Sequence, residues 1–133
     1  MFAGTHHVAV ICSDYPISKR FYAEILGLKI VAETYREERR SYKLDLAIPG
    51  GVQIELFSFP DTPPRPSRPE ACGLRHLAFA SNDFDADVAR LVAAGIAVEP
   101  VRIDPITGRK YTFFQDPDGL PLEICEGFPV QPA

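Results

Sequence analysis

The sequence lacks any apolar run long enough to cross a bilayer, and residues 1–7 lack the basic and then apolar segments of a signal peptide. It contains only three cysteines, an odd number with no CxxC spacing, which favours reduced thiols over a disulfide framework. It also lacks an excess of basic residues: the net charge is −4 and the pI is about 5.3. A general nucleic-acid binder needs a basic face. These absences predict a cytoplasmic protein that binds no membrane and no nucleic acid, and they leave a small-molecule substrate as the expected partner.

Two stretches of the sequence resemble each other. The first begins at His7 and the second at His76, 69 positions later, and each has an aspartate seven residues after its histidine. Each then runs through a helical pattern to a glycine, and these glycines, Gly27 and Gly95, are 68 positions apart. A repeat of this size predicts two copies of one supersecondary unit, neither of which buries its apolar surface alone. The length suits a single domain, residues 1–133, built from both copies.

Each copy predicts the order strand, helix and three strands, so the fold class is α+β with two tandem βαβββ modules. The strands show period-two alternation, and the helices carry apolar stripes. Module 1 spans about residues 5–59, and module 2 about residues 74–126. The predicted strands are Thr5–Cys12, Lys29–Tyr35, Tyr42–Ile48, Val52–Phe59, Leu74–Ala80, Val98–Arg102, Tyr111–Gln115 and Leu120–Cys125. The predicted inward helix residues are Ile17, Phe21, Ile25 and Leu28 in the first copy, and Val88, Leu91 and Val92 in the second.

Residues 60–73 separate the two modules and contain five prolines. Because proline interrupts sheet hydrogen bonding, this segment is predicted to be a semi-stiff connector on the surface. It leads directly to His76, so it has a second interpretation as a wall or lid of a site. The sequence leaves open whether five basic residues contact an anionic substrate or stay solvated: Arg65, Arg75, Arg102, Arg109 and Lys110.

Four residues of metal-ligating type recur with the repeat: His7 and Glu55 in module 1, and His76 and Glu123 in module 2. Glu55 follows His7 by 48 residues, and Glu123 follows His76 by 47. Strand alternation places all four opposite the apolar residues that face the helix. A lone histidine or glutamate on a strand is usually solvated. The matched recurrence, and the compensating charge that a carboxylate needs in apolar surroundings, favour one shared metal site instead.

The donor set limits the choice of metal. Two imidazoles and two carboxylates suit zinc, nickel, cobalt, manganese or iron, and we expect one divalent ion, with zinc, nickel or cobalt preferred. Four protein ligands leave one or two positions for water if the geometry is octahedral, and catalysis needs such an open position. His6 falls on the helix-facing side of its strand and has no counterpart in the second copy, so it is excluded from the ligand set.

The motifs around these residues resemble a known family. They are the two His-x-Ala-[Val/Phe]-x-x-x-Asp starts, the Gln-Ile-Glu-Leu-Phe strand at 53–57 and the Asp-Pro-Asp-Gly-Leu-Pro-Leu-Glu ending at 116–123. They are similar to the vicinal oxygen chelate superfamily, which includes glyoxalase I, methylmalonyl-CoA epimerase, extradiol dioxygenases, fosfomycin-resistance enzymes and bleomycin-binding proteins. Stretches 57–60 and 65–76 resemble small bacterial glyoxalase I-like proteins of the YaeR type. The resemblance implies two βαβββ modules that form a cup-shaped mixed sheet around the metal.

The same resemblance implies a reaction. Glyoxalase I has a His/Glu/His/Glu ligand set, which all four positions match. The implied activity is that of a metal-dependent lyase or isomerase, with proton transfer next to a carbonyl through an enediolate. Glu123 is the implied base, and Glu55 is the second choice. The alternatives are a metal-dependent dioxygenase, and a non-catalytic protein of the resistance type that binds a metal or a small molecule.

Two positions depart from the glyoxalase I pattern. That enzyme usually has an arginine and an asparagine for glutathione, four residues after its first His and first Glu ligands. Here those positions hold Ile11 and Phe59. We therefore expect another thiol or carbonyl substrate, in a pocket lined by Ile11, Phe57, Phe59 and Cys125. The resemblance also implies a homodimer, because related enzymes often complete their sites across an interface.

Overall fold

Two compact units make up the chain, and each contains one four-stranded sheet. The computed structural model describes residues 1–133, and the units are Met1–Pro64 and Arg65–Ala133. The division falls inside the proline-rich segment 60–73. No helix has the length and the apolar character that spanning a bilayer requires.

The first unit has the predicted βαβββ order. Its elements are β1 (His7–Cys12), α1 (Tyr15–Arg20), a π-helical continuation (Phe21–Ile25), β2 (Lys29–Arg36), a 3₁₀ turn (Glu37–Arg39), β3 (Ser41–Ala47) and β4 (Gln53–Ser58). The strand order in the sheet is β1-β4-β3-β2. β1 and β4 run parallel, whereas β3 is antiparallel to both of its neighbours. β1 and β2 therefore point the same way, and the crossover that joins them is supplied by α1 and its continuation.

The helix of the first unit differs from its prediction at the start. Asp14 caps α1 by accepting a hydrogen bond from the Ile17 backbone N–H at 3.2 Å. Ile17 itself is 56% exposed, so its assignment to the inward stripe is wrong. The buried face is formed by Ser18, Phe21 and Tyr22, since the π-helical turn that follows changes the angular spacing of side chains. Phe21 was predicted correctly.

The second unit repeats the topology. Its elements are β5 (Leu77–Ser81), α2 (Phe84–Ala93), β6 (Arg102–Ile103), β7 (Lys110–Gln115) and β8 (Pro121–Glu126). The sheet order is β5-β8-β7-β6, with β5 and β8 parallel. The α+β fold with tandem βαβββ modules is therefore confirmed. Asp83 caps α2 as Asp14 caps α1, by accepting from the Ala86 N–H at 3.2 Å.

Three details of the second unit were predicted wrongly. The strand expected at 98–102 is reduced to Arg102–Ile103, because Pro100 has no N–H for the ladder. The Glu99 N–H still donates to the Phe113 carbonyl on β7 at 2.9 Å. β5 begins at Leu77 instead of Leu74, whose carbonyl accepts from Arg65 at 2.6 Å. Val92 is 57% exposed, so the α2 stripe is narrower than expected.

Strand alternation, the feature on which the site depends, is confirmed in both units. In the first unit Val10, Ile54 and Leu56 are buried, whereas His7 and Glu55, at the alternate positions of the same strands, are not. In the second unit, Leu122 and Ile124 are buried on either side of Glu123, which is partly exposed. The four predicted ligands therefore lie on sheet faces opposite the helix-packed core.

Candidate metal centre

A histidine and a glutamate lie together on the outward face of the first sheet. His7 is the first residue of β1, and Glu55 lies on the adjacent parallel strand β4. The His7 Nε2 is 3.5 Å from the Glu55 Oε2. The glutamate side chain is only 16% exposed and the imidazole is 39% exposed, so the pair is open on the side of the imidazole.

The second unit contains the equivalent pair. His76 directly precedes β5, and Glu123 lies on the adjacent parallel strand β8. The His76 Nε2 is 2.9 Å from the Glu123 Oε2. The Phe113 ring contacts the imidazole edge-to-face, with 5.3 Å between ring centroids, and fixes the orientation of the imidazole.

The spacing within each pair suits two ligands of one metal ion. Ligand atoms bound to zinc at about 2.0–2.2 Å, with tetrahedral or octahedral angles, are about 2.8–3.6 Å apart. The observed separations of 3.5 and 2.9 Å lie near the two ends of this range. Each pair can therefore supply one nitrogen and one oxygen ligand with little movement. Neither unit brings together three or more His, Cys, Asp or Glu side chains in a metal-binding cluster.

The first pair has a cationic neighbour that the sequence analysis missed. Lys43 on β3 places its Nζ 3.4 Å from the Glu55 Oε1 and 2.9 Å from the Asp45 Oδ1. Asp45 is also the direct cross-strand neighbour of Glu55. The hydrogen bond to Asp45, together with the charges of Asp45 and Glu55, raises the pKa of Lys43 above its usual range. The lysine therefore remains charged at neutral pH and compensates two adjacent carboxylates.

The second pair has a different cross-strand environment. Phe113 occupies the position opposite Glu123, and Tyr111 the position opposite Cys125. Burial, followed by the charge of Glu123, raises the pKa of the Cys125 thiol to about 11. The thiol is therefore neutral at physiological pH.

The predicted pocket residues of the first unit lie on or beside the outward face. Ile11 is 55% exposed on β1. Phe57 and Phe59 stack with 6.0 Å between their ring centroids. The Arg36 guanidinium lies over both rings, 4.9 Å from the centroid of Phe57 and 5.6 Å from that of Phe59. Sequence spacing could not have paired Arg36 with these aromatic residues, because the contact requires knowledge of the strand order.

The family to which the chain belongs follows from this fold and from comparison with known proteins. Residues 4–124 match the model of the Glyoxalase/Bleomycin resistance protein/Dioxygenase superfamily, so the chain is a member of that superfamily. Proteins of this superfamily commonly bind a divalent metal ion.

Individual relatives define a narrower group. YwkD of Bacillus subtilis, described as uncharacterized, is 60% identical over 95% of this chain and 98% of its own length. YaeR of Escherichia coli, described in the same way, is 58% identical over 91% of this chain and 94% of its own length. The crystal structure of a glyoxalase family protein from Enterococcus faecalis superposes with a TM-score of 0.86 at 48% identity, over 94% of this chain and 98% of that one. The expected likeness to the YaeR type is confirmed.

Proposed function

We propose that this protein is a metal-dependent lyase or isomerase of the glyoxalase I type, which transfers a proton at a carbon next to a carbonyl. Its ligands are His7, Glu55, His76 and Glu123, which hold one divalent ion, with zinc, nickel or cobalt expected. The observation that carries the proposal is the repeated His–Glu pair, with separations of 3.5 and 2.9 Å on outward sheet faces. Two unrelated surface ion pairs would have no reason to recur at matching positions of a duplicated unit.

The chemistry divides between the ion and the chain. When bound, the ion supplies Lewis-acid polarisation of the substrate oxygens. Neutral imidazoles of His7 and His76 serve as ligands through Nε2, the atoms nearest the carboxylates. A glutamate carboxylate takes the proton from carbon and returns it to the neighbouring carbon, so the reaction needs no external acid or base.

Glu123 is the better candidate for the base. The Glu55 carboxylate is paired with the Lys43 ammonium at 3.4 Å, so this ion pair would have to break before Glu55 could turn to a substrate. Opposite Glu123 lies the uncharged ring of Phe113. Glu123 can therefore exchange a proton with the substrate without breaking an ion pair to a lysine.

The proposal includes the wider organisation of the protein. Residues 1–133 form one functional domain, because each unit holds only half of the ligand set. A homodimer in the cytoplasm is the expected form. Light scattering measures the oligomeric state, and a monomer that keeps full activity contradicts this part of the proposal.

Distant relatives offer partial support. Glyoxylase I 4 of Arabidopsis thaliana is 26% identical over 96% of this chain and 74% of its own length. A 2-epi-5-epi-valiolone epimerase from an Actinomyces species is 27% identical over 91% of this chain and 78% of its own length. MhqE of Bacillus subtilis, which is described as a candidate ring-cleaving dioxygenase, has a similar sequence identity to this chain. The descriptions of these relatives name different activities, so they do not decide the activity of this protein, and the two His–Glu pairs carry the proposal.

The deciding experiment combines metal analysis with two assays. Purified protein is loaded with zinc, nickel, cobalt or iron, then assayed for isomerisation of hemithioacetals of several thiols and for oxygen uptake with catechols. Isomerisation with one bound ion per chain supports the proposal. Oxygen uptake with iron, or tight metal binding without either turnover, contradicts it.

A substitution tests the assigned base. We expect Glu123→Gln to reduce kcat by about 10²–10⁴-fold, the usual contribution of a positioned acid–base group, while the protein keeps part of its metal. Glu24→Gln is the matched control, since that glutamate lies on the first-unit helix with its side chain 72% exposed. Unchanged turnover in Glu123→Gln would remove this residue from the mechanism.

A further inference from the structure

The second unit contains a cleft that the ligand pairs do not account for. It has a volume of about 890 Å³, within the usual range for small-molecule pockets. Four arginines line it, Arg65, Arg68, Arg75 and Arg102, and we call it the arginine cleft. His76, one of the four proposed ligands, also lines it. The cleft is therefore continuous with the metal-binding face of this unit.

The arginine cleft concentrates positive charge in an acidic protein. The whole chain has a net charge of −4, but four arginines and a single carboxylate, that of Glu99, line the cleft. Such a local excess draws anions into a cleft with low-dielectric walls. Its remaining walls are largely apolar, with Ile96, Val98 and Phe113 among them. The lining as a whole suits an organic anion rather than a bare inorganic ion.

The arginines divide into one structural residue and three available ones. Arg65 donates to the Ser67 Oγ at 2.9 Å and to the Leu74 carbonyl at 2.6 Å, which fixes the segment that forms one wall. Ser67 in turn donates to the Gly119 carbonyl at 3.1 Å and ties that wall to the β7–β8 turn. The proline-rich segment is therefore more than a connector: from Arg65 onward it shapes the cleft.

The other three guanidinium groups have only weak partners. Arg102 is 3.5 Å from Glu99, and both side chains are 47% exposed. Arg68 and Arg75 share one exposed carboxylate, that of Glu70, at 3.2 and 3.7 Å. Exposed ion pairs of this kind contribute little, so a ligand that accepts bidentate hydrogen bonds can replace them. Arginine is well suited to this role because its planar fork matches carboxylate and phosphate oxygens.

One aromatic side chain connects the cationic part of the cleft to the metal ligand. The Arg102 guanidinium lies 5.6 Å from the centroid of the Phe113 ring, and the same ring contacts His76 at 5.3 Å. A ligand anchored by Arg102 therefore extends over Phe113 toward His76. This places the anionic group at one end of the ligand and the reacting part at the other.

We infer that the arginine cleft binds the carboxylate or phosphate group of an anionic substrate and positions its carbonyl end beside His76. This inference rests on the proposed function, which it deepens by naming the substrate class. It assigns Arg75 and Arg102 to substrate binding. It also replaces the missing glutathione anchors at Ile11 and Phe59 with groups from the second unit.

Binding of simple probes to the metal-free full-length protein tests the inference independently of catalysis. Benzoate, phenyl phosphate and uncharged benzamide have similar apolar bodies and differ in the anionic group. We expect both anions, but not benzamide, to shift the amide NMR signals of residues 96–98 and 113–114. Arg102→Gln and Arg75→Gln should each weaken anion binding about tenfold, as expected for loss of a charge-assisted hydrogen bond. Comparison of benzoate with phenyl phosphate then shows which oxyanion the cleft prefers.

A matched control and a conservative variant complete the design. Arg20→Gln removes an exposed arginine from a comparable ion pair, 3.4 Å from Glu24 in the first unit, and should leave binding unchanged. Arg102→Lys keeps the charge but loses the planar fork, so its affinity should lie between those of the wild type and the glutamine variant. Equal binding of benzamide and benzoate, or full affinity in both glutamine variants, overturns the inference.

The outcomes also separate this inference from the proposed function. Selective anion binding in a protein that has no isomerase activity supports the inference about the cleft and contradicts the proposed enzymatic function. Isomerase activity in a protein whose metal-free form binds no anion contradicts the inference about the cleft and supports the proposed enzymatic function.

Discussion

Lys43 provides the sharpest test of how the first ligand pair works. Its ammonium is 3.4 Å from a Glu55 oxygen and 2.9 Å from an Asp45 oxygen. A metal ion bound to Glu55 would therefore be repelled by the positive charge of Lys43. Lys43→Met keeps most of the apolar stem and removes the charge. We therefore expect the variant to bind divalent metal more tightly than the wild type.

The magnitude follows from the geometry. Two unit charges at 3.4 Å interact by about 1 kcal/mol in water and by about 5 kcal/mol at an effective dielectric constant of about 20. The Lys43 side chain is 30% exposed and that of Glu55 is 16% exposed, so solvent screens much of this interaction. A gain of about 1–2 kcal/mol remains, which is about a fivefold to thirtyfold lower Kd.

The same change should destabilise the metal-free protein. Asp45 and Glu55 are direct cross-strand neighbours, and without the lysine two carboxylates face each other. We expect a lower Tm for Lys43→Met at neutral pH. Because the pKa of Lys43 is raised in the folded protein, the difference should shrink only at alkaline pH, as the ammonium loses its proton. Metal added to the variant should restore part of the lost stability.

Competition against a coloured chelator measures the metal Kd, and calorimetry measures Tm. Lys29→Met is the control, since Lys29 is an exposed residue at the start of β2 in the same unit. Weaker metal binding in Lys43→Met would refute the reasoning, because it would mean that the lysine holds Glu55 in place for the ion instead of competing with it.

Two further predictions concern the sheet faces and the thiols. Leu56→Ala deletes a fully buried side chain and should cost about 2–5 kcal/mol of unfolding free energy. Ile11→Ala, at a position that is 55% exposed, should change the denaturation midpoint little. Equal losses in the two variants would contradict the assignment of these residues to opposite faces. The exposed Cys72 should react with iodoacetamide before Cys125 at pH 7, and the labelling rate of Cys125 should rise steeply as the pH approaches its pKa of about 11. Mass spectrometry of the labelled peptides measures this order, and faster labelling of Cys125 would contradict it.

The parts of the fold that sequence could predict are those controlled by local chemistry. Alternation on β1 and β4 assigned His7 and Glu55 to the outward face, and it did so because Val10, Ile54 and Leu56 have to be buried together. The strand predicted at 98–102 is shorter than expected for an equally local reason, the missing N–H of Pro100.

The parts that sequence could not predict depend on contacts between distant segments. The arginine cleft needs the path of residues 65–75 along the second sheet, which the bond from Ser67 to Gly119 fixes. The Lys43 contact is an intermediate case. Alternation within β3 puts Lys43 and Asp45 on the same face, opposite the buried Leu44 and Leu46, but their proximity to Glu55 depends on the register between β3 and β4.

The cross-strand register shows how a duplicated unit can acquire two different roles. The same ligand pair faces Asp45 and Lys43 in the first unit, but Phe113 and Tyr111 in the second. In the first unit the Glu55 carboxylate is already paired with the Lys43 ammonium at 3.4 Å, so it is the less available of the two glutamates for proton transfer. In the second unit the partner of Glu123 is the His76 imidazole at 2.9 Å instead of a lysine, which favours Glu123 as the proposed base. The arginine cleft opens in the second unit as well. Under the proposed function, substrate binding and proton transfer would therefore fall on this unit, while the first unit would anchor the ion.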